Sequence, residues 1–152
     1  MSDNWITLVP EDPHFVPDSA AQVRACNRLA EIAPHADEIE IKTPGTIQFF
    51  HAGANFERVL CPSCGVEIPI EWWQERMDDD FDRKAGFSLN SYNTPCCGAD
   101  HTLRQLTYDW PQSFGVFAID VMNPGIAKLR PAHQRELENI LGTKLTVIYQ
   151  HL

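Results

Sequence analysis

The chain has 152 residues, of which 43% are apolar, and a formal net charge of −9. This length and composition predict one domain with a core of ordinary size and exclude a disordered chain. The negative charge, together with the scattered placement of the 12 basic residues, argues against a nucleic-acid partner.

No part of the sequence approaches the roughly eighteen continuous apolar residues of a membrane span. Residues 1–5 also lack the basic and apolar regions of a signal peptide. We therefore expect a cytoplasmic protein with no membrane partner. The five cysteines, an odd number, fit a metal site and one remaining thiol in a reducing compartment better than a set of disulfides.

The N-terminal third predicts a strand, a helix and two further strands. Residues 5–9 predict the first strand, and the apolar patterns over 39–42 and 47–51 predict the other two. Ser19 and Gln22 have the spacing of a capping box that opens the helix. The residues at helical spacing that we expect to face the core are Val23, Cys26, Leu29, Ala30 and Ala33.

A second helix is predicted to start near Pro69, in the middle of the chain. Helical spacing assigns to its inward side Ile70, Trp73, Met77 and Phe81. Its acidic residues are expected to lie largely toward water, namely Glu71, Glu75, Asp78, Asp79 and Asp82. The acidic run at 78–82, which includes Asp80, is interpreted as a solvated face rather than a divalent-ion site, because consecutive helical positions point in different directions.

The C-terminal part predicts a second strand, helix and strand. Residues 114–122 have strand character, and 145–149 predict a terminal strand rich in β-branched residues. Between them, Pro131 can open a helix at its first position and Gly142 can close it.

Two β-α-β units that bracket a middle segment predict an α+β fold. The specific expectation is a ferredoxin-like split β-α-β sandwich with a zinc-ribbon-like insert. We expect one domain over residues 1–152, with the insert at 56–109.

Two cysteine pairs in the insert have the pattern of a zinc site. The first lies in the segment CPSCG at 61–65, where proline fixes a turn and glycine accepts the positive φ that lets backbone N–H groups face the sulfurs. The second pair is adjacent and is also followed by glycine. Four thiolates make a closed tetrahedral shell, and iron can substitute for zinc in such a site. We therefore predict structural Zn²⁺ held by Cys61, Cys64, Cys96 and Cys97.

The fourth ligand stays open at this point, because side chains of neighbouring residues usually diverge. Either Cys96 and Cys97 both turn to one metal, or one of them binds beside His101. A three-ligand site with water would make the protein a zinc-dependent hydrolase, which is the alternative function. No H-x-E signature of nucleobase deaminases and no H-E-x-x-H motif occurs, and no helix directly follows the first pair, as a dithiol oxidoreductase would need.

Several short motifs between residues 61 and 124 together resemble a family of small uncharacterised bacterial proteins. They are CPSCG at 61–65, the Trp-Trp pair at 72–73, TPCCG at 94–98, LRQLTYDWP at 103–111 and a Phe-containing strand that ends in Met-Asn-Pro at 117–124. The resemblance covers less than half of the chain. It implies a zinc-ribbon-like segment and brings no established activity.

The paired tryptophans of the insert indicate a binding surface. Trp72 and Trp73 are consecutive and cannot both lie at the centre of one narrow apolar stripe, so part of the pair is expected to stay exposed beside the acidic residues. We predict a non-catalytic, zinc-stabilised binding module of adaptor or immunity type that recognises a protein partner through the acidic insert and Trp72/Trp73. An open edge of the predicted sheet would also allow a homodimer.

Overall fold

The computed structural model describes residues 2–152, which form three α-helices and thirteen short strands. The helices are α1 (Ser19–Ile32), α2 (Ile70–Asp80) and α3 (Pro131–Leu141). The strands are β1 (Asn4–Pro10), β2 (Glu38–Lys42), β3 (Gln48–Phe50), β4 (Arg58–Leu60), β5 (Glu67–Ile68), β6 (Phe81–Asp82), β7 (Gly86–Phe87), β8 (Tyr92–Asn93), β9 (Asp100–His101), β10 (Thr107–Asp109), β11 (Ser113–Gly115), β12 (Ala118–Met122) and β13 (Leu145–His151). Within the described part of the chain, each helix is too short or too polar to cross a membrane.

The main sheet has four antiparallel strands in the order β13-β1-β12-β2. Helix α1 connects β1 to β2, and α3 connects β12 to β13. Each connection passes over one strand that lies between the two it joins. Small two-stranded and three-stranded antiparallel sheets make up the middle of the chain. The predicted mixture of helices and antiparallel strands is therefore confirmed.

Helices α1 and α3 pack against one face of the main sheet and bury the largest apolar cluster. Leu8 and Ile119 from the sheet meet Ala25 of α1 and Leu137 of α3, and all four are completely buried. Burying a side chain of leucine or isoleucine size contributes roughly 1.5–3 kcal/mol. This cluster is therefore the main source of stability for the sheet and its two helices.

The face of α1 that meets the sheet differs from the predicted one. Leu29 and Ala33 are buried as expected, but Val23 is 58% exposed, and the other buried positions are Ala21 and Ala25. Small alanine side chains allow the helix to approach the sheet closely, which hydrophobic spacing alone does not reveal. The cap is also one residue earlier than predicted, because the Asp18 carboxylate accepts the Ala21 N–H at 2.7 Å.

The C-terminal unit has the predicted helix, but its first strand is divided. Helix α3 begins at Pro131 and ends at Leu141, and it is followed by Gly142, whose φ of +77° is the left-handed cap that glycine favours. Residues 113–122 form two strands rather than one, because β11 pairs with β3 whereas β12 belongs to the main sheet. Between the two strands, the Val116 N–H donates to the Pro13 carbonyl at 3.0 Å as the chain passes from one sheet to the other.

The opposite face of the main sheet is covered by the middle of the chain. Val9, Ala118 and Ile148 of the sheet form a buried cluster with Ala52, and Phe50 and Trp110 pack against it. A further cluster beyond it has Trp73 as its largest member, together with Val59, Phe114 and other residues of the small sheets. The segment with both cysteine pairs therefore lies on the side of the sheet away from α1 and α3.

The two adjacent tryptophans of α2 have different environments. Trp73 is only 8% exposed, and its Nε1–H donates to the Tyr108 hydroxyl at 3.0 Å. That hydroxyl donates in turn to the Leu103 carbonyl at 2.6 Å. Trp72 is half-buried. Of the other residues predicted to face inward, Met77 packs against the same cluster, whereas Ile70 and Phe81 are 36% and 40% exposed.

Asp80 lies inside the structure, which corrects the prediction that the whole acidic run faces water. Its carboxylate is 3% exposed and accepts hydrogen bonds from the Leu89 N–H at 2.7 Å, the Asn90 N–H at 2.9 Å and the Tyr92 hydroxyl at 2.9 Å. A buried carboxylate is tolerated when donors surround it in this way. Asp80 therefore fixes the loop that leads from β7 into β8.

Candidate metal centre

The side-chain sulfurs of Cys61, Cys64, Cys96 and Cys97 lie within 4.8 Å of one another. The sulfurs of Cys64 and Cys96 are 3.3 Å apart, and those of Cys61 and Cys97 are 3.8 Å apart. A tetrahedral ion with metal–sulfur bonds of about 2.3 Å would separate its sulfurs by roughly 3.8 Å. The four sulfurs are therefore close enough together to surround one tetrahedral metal ion.

The first pair lies in a tight turn that directly follows β4. The Gly65 N–H donates to the Cys61 carbonyl at 2.8 Å, and the Cys61 N–H donates to the Val66 carbonyl at 2.9 Å. Gly65 has a φ of +74°, which the sequence pattern predicted for this position. The turn directs the N–H groups of Ser63 and Cys64 at the sulfur of Cys61.

The second turn repeats the first one residue for residue. The Gly98 N–H donates to the Thr94 carbonyl at 2.9 Å, the Thr94 N–H donates to the Ala99 carbonyl at 3.0 Å, and Gly98 has a φ of +72°. Thr94 therefore stands where Cys61 stands in the first turn, Cys96 where Ser63 stands, and Cys97 where Cys64 stands. This equivalence explains why Cys97 faces the site as Cys64 does, whereas Cys96 joins the cluster from a position that Ser63 occupies in the first turn.

Thr94 is the residue of the site that the sequence reasoning missed. It is 1% exposed, and its hydroxyl oxygen lies 3.6 Å from the Cys61 sulfur and 3.7 Å from the Cys97 sulfur. The signal was present in the sequence, because CPSCG and TPCCG align with threonine in place of the first cysteine. Threonine is not a usual zinc ligand, so the ligand pattern does not include this position.

His101 does not belong to the group of four sulfurs. It lies on β9, and its Nε2 is 2.8 Å from the Ser63 hydroxyl oxygen. The remaining cysteine, Cys26, lies on α1 and packs against the main core, where burial raises the pKa of its thiol. The structure thus brings Cys96 and Cys97 together with the first pair, and leaves His101 and Cys26 outside.

The electrostatics of the cluster favour a bound cation. Burial opposes ionisation of Cys61, but the N–H groups of Cys64 and Ser63 and the Thr94 hydroxyl lower the pKa of Cys61 to about 5. The Val66 N–H favours the thiolate of Cys64, yet the neighbouring sulfurs raise the pKa of Cys64 to about 12. Thiolates this close cannot all be charged without a positive ion between them. The donor set and its charge therefore fit a divalent metal.

Solvent reaches the cluster from one side. Cys61 is 1% exposed and lies against the aromatic core around Trp73, whereas the other three cysteines are exposed. The metal would thus lie between the small sheets and the surface, with one sulfur anchored in the core.

No protein-family model, curated protein or solved structure matches this chain. The resemblance to small bacterial proteins stays a prediction, and the four-cysteine cluster itself carries the argument for function.

Proposed function

We propose that this protein is a non-catalytic binding module whose middle segment is stabilised by a structural zinc ion. The observation that supports this proposal is the group of four converging sulfurs. Four thiolates complete a tetrahedral shell and leave no position for water or substrate, so the metal would contribute to folding rather than to chemistry. The alternative, a zinc-dependent hydrolase, needs an open position, and the engagement of His101 with Ser63 argues against it.

Zinc is the proposed metal because of the ligand chemistry. All-sulfur tetrahedral sites bind Zn²⁺ or iron, whereas oxygen-preferring ions such as Mg²⁺ and Ca²⁺ require carboxylates and carbonyls. Elemental analysis followed by X-ray absorption at the metal edge tests this assignment. We expect one zinc per chain and four sulfurs at about 2.3 Å. Nitrogen or oxygen in the shell would instead support the hydrolase.

The proposal includes a fold assignment. A sheet order of β13-β1-β12-β2, with two helical connections on one face, is what two interleaved β-α-β units produce. We therefore assign the main sheet, α1 and α3 to a ferredoxin-like sandwich. In this view the segment with the small sheets is a zinc-ribbon-like insert.

The proposed partner surface is the outer side of α2, defined by Trp72 and the exposed residues Glu71, Glu75, Asp78 and Asp79. Arg76 lies over the Trp72 ring, with its guanidinium carbon 5.5 Å from the ring centre, and forms an ion pair with Asp79 at 3.0 Å. The Trp72 ring, which contacts the Arg76 guanidinium and lies beside exposed carboxylates, is a surface to which a basic segment of another protein could bind. Trp73 contributes to this surface only indirectly, because it lies in the core.

Capture experiments with the metal-loaded protein test the partner surface. We expect Trp72→Ala to lose a basic protein that the wild type retains. Val23→Ala is a matched control, because Val23 is 58% exposed on α1, which lies on the other face of the main sheet. A set of bound proteins that is the same for wild type and Trp72→Ala would contradict the proposal.

A further inference from the structure

The Thr94 hydroxyl lies between the two cysteine turns, in contact with one sulfur from each. It is 3.6 Å from the Cys61 sulfur and 3.7 Å from the Cys97 sulfur, and the residue is almost completely buried. A water molecule could replace the hydroxyl there only if the protein had a cavity at that position. What the hydroxyl does to these sulfurs therefore depends on where its single proton points.

The hydroxyl has one other acceptor within reach, the Ala99 carbonyl at 3.2 Å. That carbonyl already accepts the Thr94 backbone N–H at 3.0 Å. The hydroxyl proton can therefore turn away from Ala99 without leaving a buried carbonyl unsatisfied. A metal-bound thiolate is a much stronger acceptor than a neutral thiol, so with a metal bound the hydroxyl proton is expected to point at one of the two sulfurs.

Cys61 depends on this donor more than the other three cysteines do. Cys64, Cys96 and Cys97 are exposed, so water can hydrogen-bond their sulfurs. Cys61 is 1% exposed, and apart from the other cysteines its sulfur is faced by two backbone N–H groups and the Thr94 hydroxyl. Four thiolates around one divalent ion carry a net charge of −2, in a protein that is already negative. A donor at the buried sulfur would relieve part of this charge.

We infer that Thr94 is a positioning residue of the metal site, whose hydroxyl donates its one hydrogen bond to the metal-bound sulfur of Cys61 while it lies against the sulfur of Cys97, and so links the two turns beside the ion. Thr94 occupies the position that Cys61 has in the first turn, but it contacts the sulfur ligands instead of the metal. The inference rests on the proposed metal site.

A pair of substitutions separates hydrogen bonding from packing. Thr94→Val keeps the shape and the β-branched side chain but removes the donor, whereas Thr94→Ser keeps the donor and removes a methyl group. Metal affinity is measured on the full chain by competition with a zinc chelator. We expect the valine variant to bind zinc about 10- to 100-fold more weakly than wild type, with the serine variant close to wild type.

A second readout uses Co²⁺ in place of zinc. The thiolate-to-cobalt charge-transfer band should shift in the valine variant and stay in place in the serine variant, because the hydrogen bond changes the electron density on sulfur. A residue that acts only by filling space would give the opposite order, with serine the weaker variant.

The outcomes distinguish this inference from the proposal beneath it. Wild-type protein that binds no metal would refute the metal site itself. Wild-type protein that binds zinc, with a valine variant that binds equally well, would overturn the role of Thr94 alone. A serine variant that loses as much affinity as the valine variant would also overturn it.

Discussion

Asp80 offers a sharp test of the structure, because the sequence places it in an acidic run whereas the structure buries it. Asp80→Ala would remove the acceptor of three hydrogen bonds, two from backbone N–H groups and one from the Tyr92 hydroxyl. A buried donor left without a partner costs about 1–3 kcal/mol, although loop groups can partly recover by reaching water. We therefore expect the free energy of unfolding to fall by about 3–5 kcal/mol.

Asp78→Ala is the matched control. Asp78 lies on the same helix, is exposed, and makes no side-chain hydrogen bond or ion pair within residues 2–152. Both changes replace aspartate by alanine near the end of α2, so gains in helix propensity and in interaction with the helix dipole largely cancel. Asp78→Ala should change stability by no more than about 0.5 kcal/mol.

The assay is urea unfolding of the metal-loaded proteins, followed by circular dichroism and by tryptophan fluorescence. Agreement between the two signals would justify a two-state treatment. Because the loop anchored by Asp80 leads through β8 to Thr94, metal affinity of Asp80→Ala should fall as well. If Asp80→Ala were no less stable than Asp78→Ala, the buried carboxylate would be refuted.

Three further predictions follow from other parts of the molecule. Removal of the metal with a chelator should raise amide hydrogen exchange across residues 58–109 while β1 stays protected, and equal exchange with and without metal would contradict a stabilising ion. Gly53→Ala should destabilise the protein more than Gly65→Ala, because a Cβ at Gly53 would overlap the His151 carbonyl oxygen. Gly65 faces open space, so Gly65→Ala should cost only about 1 kcal/mol in backbone strain. Similar midpoints of urea unfolding for the two variants would argue against the close contact between Gly53 and His151. Burial raises the pKa of Tyr108 above its ordinary value. The contribution of its neutral hydroxyl to the free energy of unfolding is therefore fully present below about pH 10 and declines by about 1.4 kcal/mol per pH unit above it, because the unfolded state ionises first. Tyr108→Phe should remove this part of the pH dependence in unfolding measurements at alkaline pH.

Elements with strong local signals were predicted well from the sequence. Helix α3 begins at Pro131 and is capped by Gly142 because proline suits the first helical position and glycine suits the left-handed cap, and neither preference depends on distant contacts. The strand at 5–9 and the terminal strand at 145–149 were likewise recognisable from short apolar and β-branched runs.

Predictions that depended on packing were less successful. Val23 has the right spacing for a core position on α1, but the helix packs Ala25 and Leu29 against the sheet and leaves Val23 exposed. The apolar run at 114–122 gave no sign that its first part pairs with β3 and its second with β1. Periodicity reports which residues could be buried, whereas the partner element decides which of them are.

The sequence by itself determined the chemistry of the candidate site, because each cysteine turn is a local structure fixed by proline, glycine and a few backbone hydrogen bonds. The tertiary structure alone decided that the two turns meet, that Cys96 and Cys97 both face the site, and that Thr94 and Asp80 are buried. The partners of Asp80 are 9 to 12 residues away, and the contacts that join the two turns span 32 and 33 residues. Such contacts depend on how whole elements pack, and no short window of sequence contains that information.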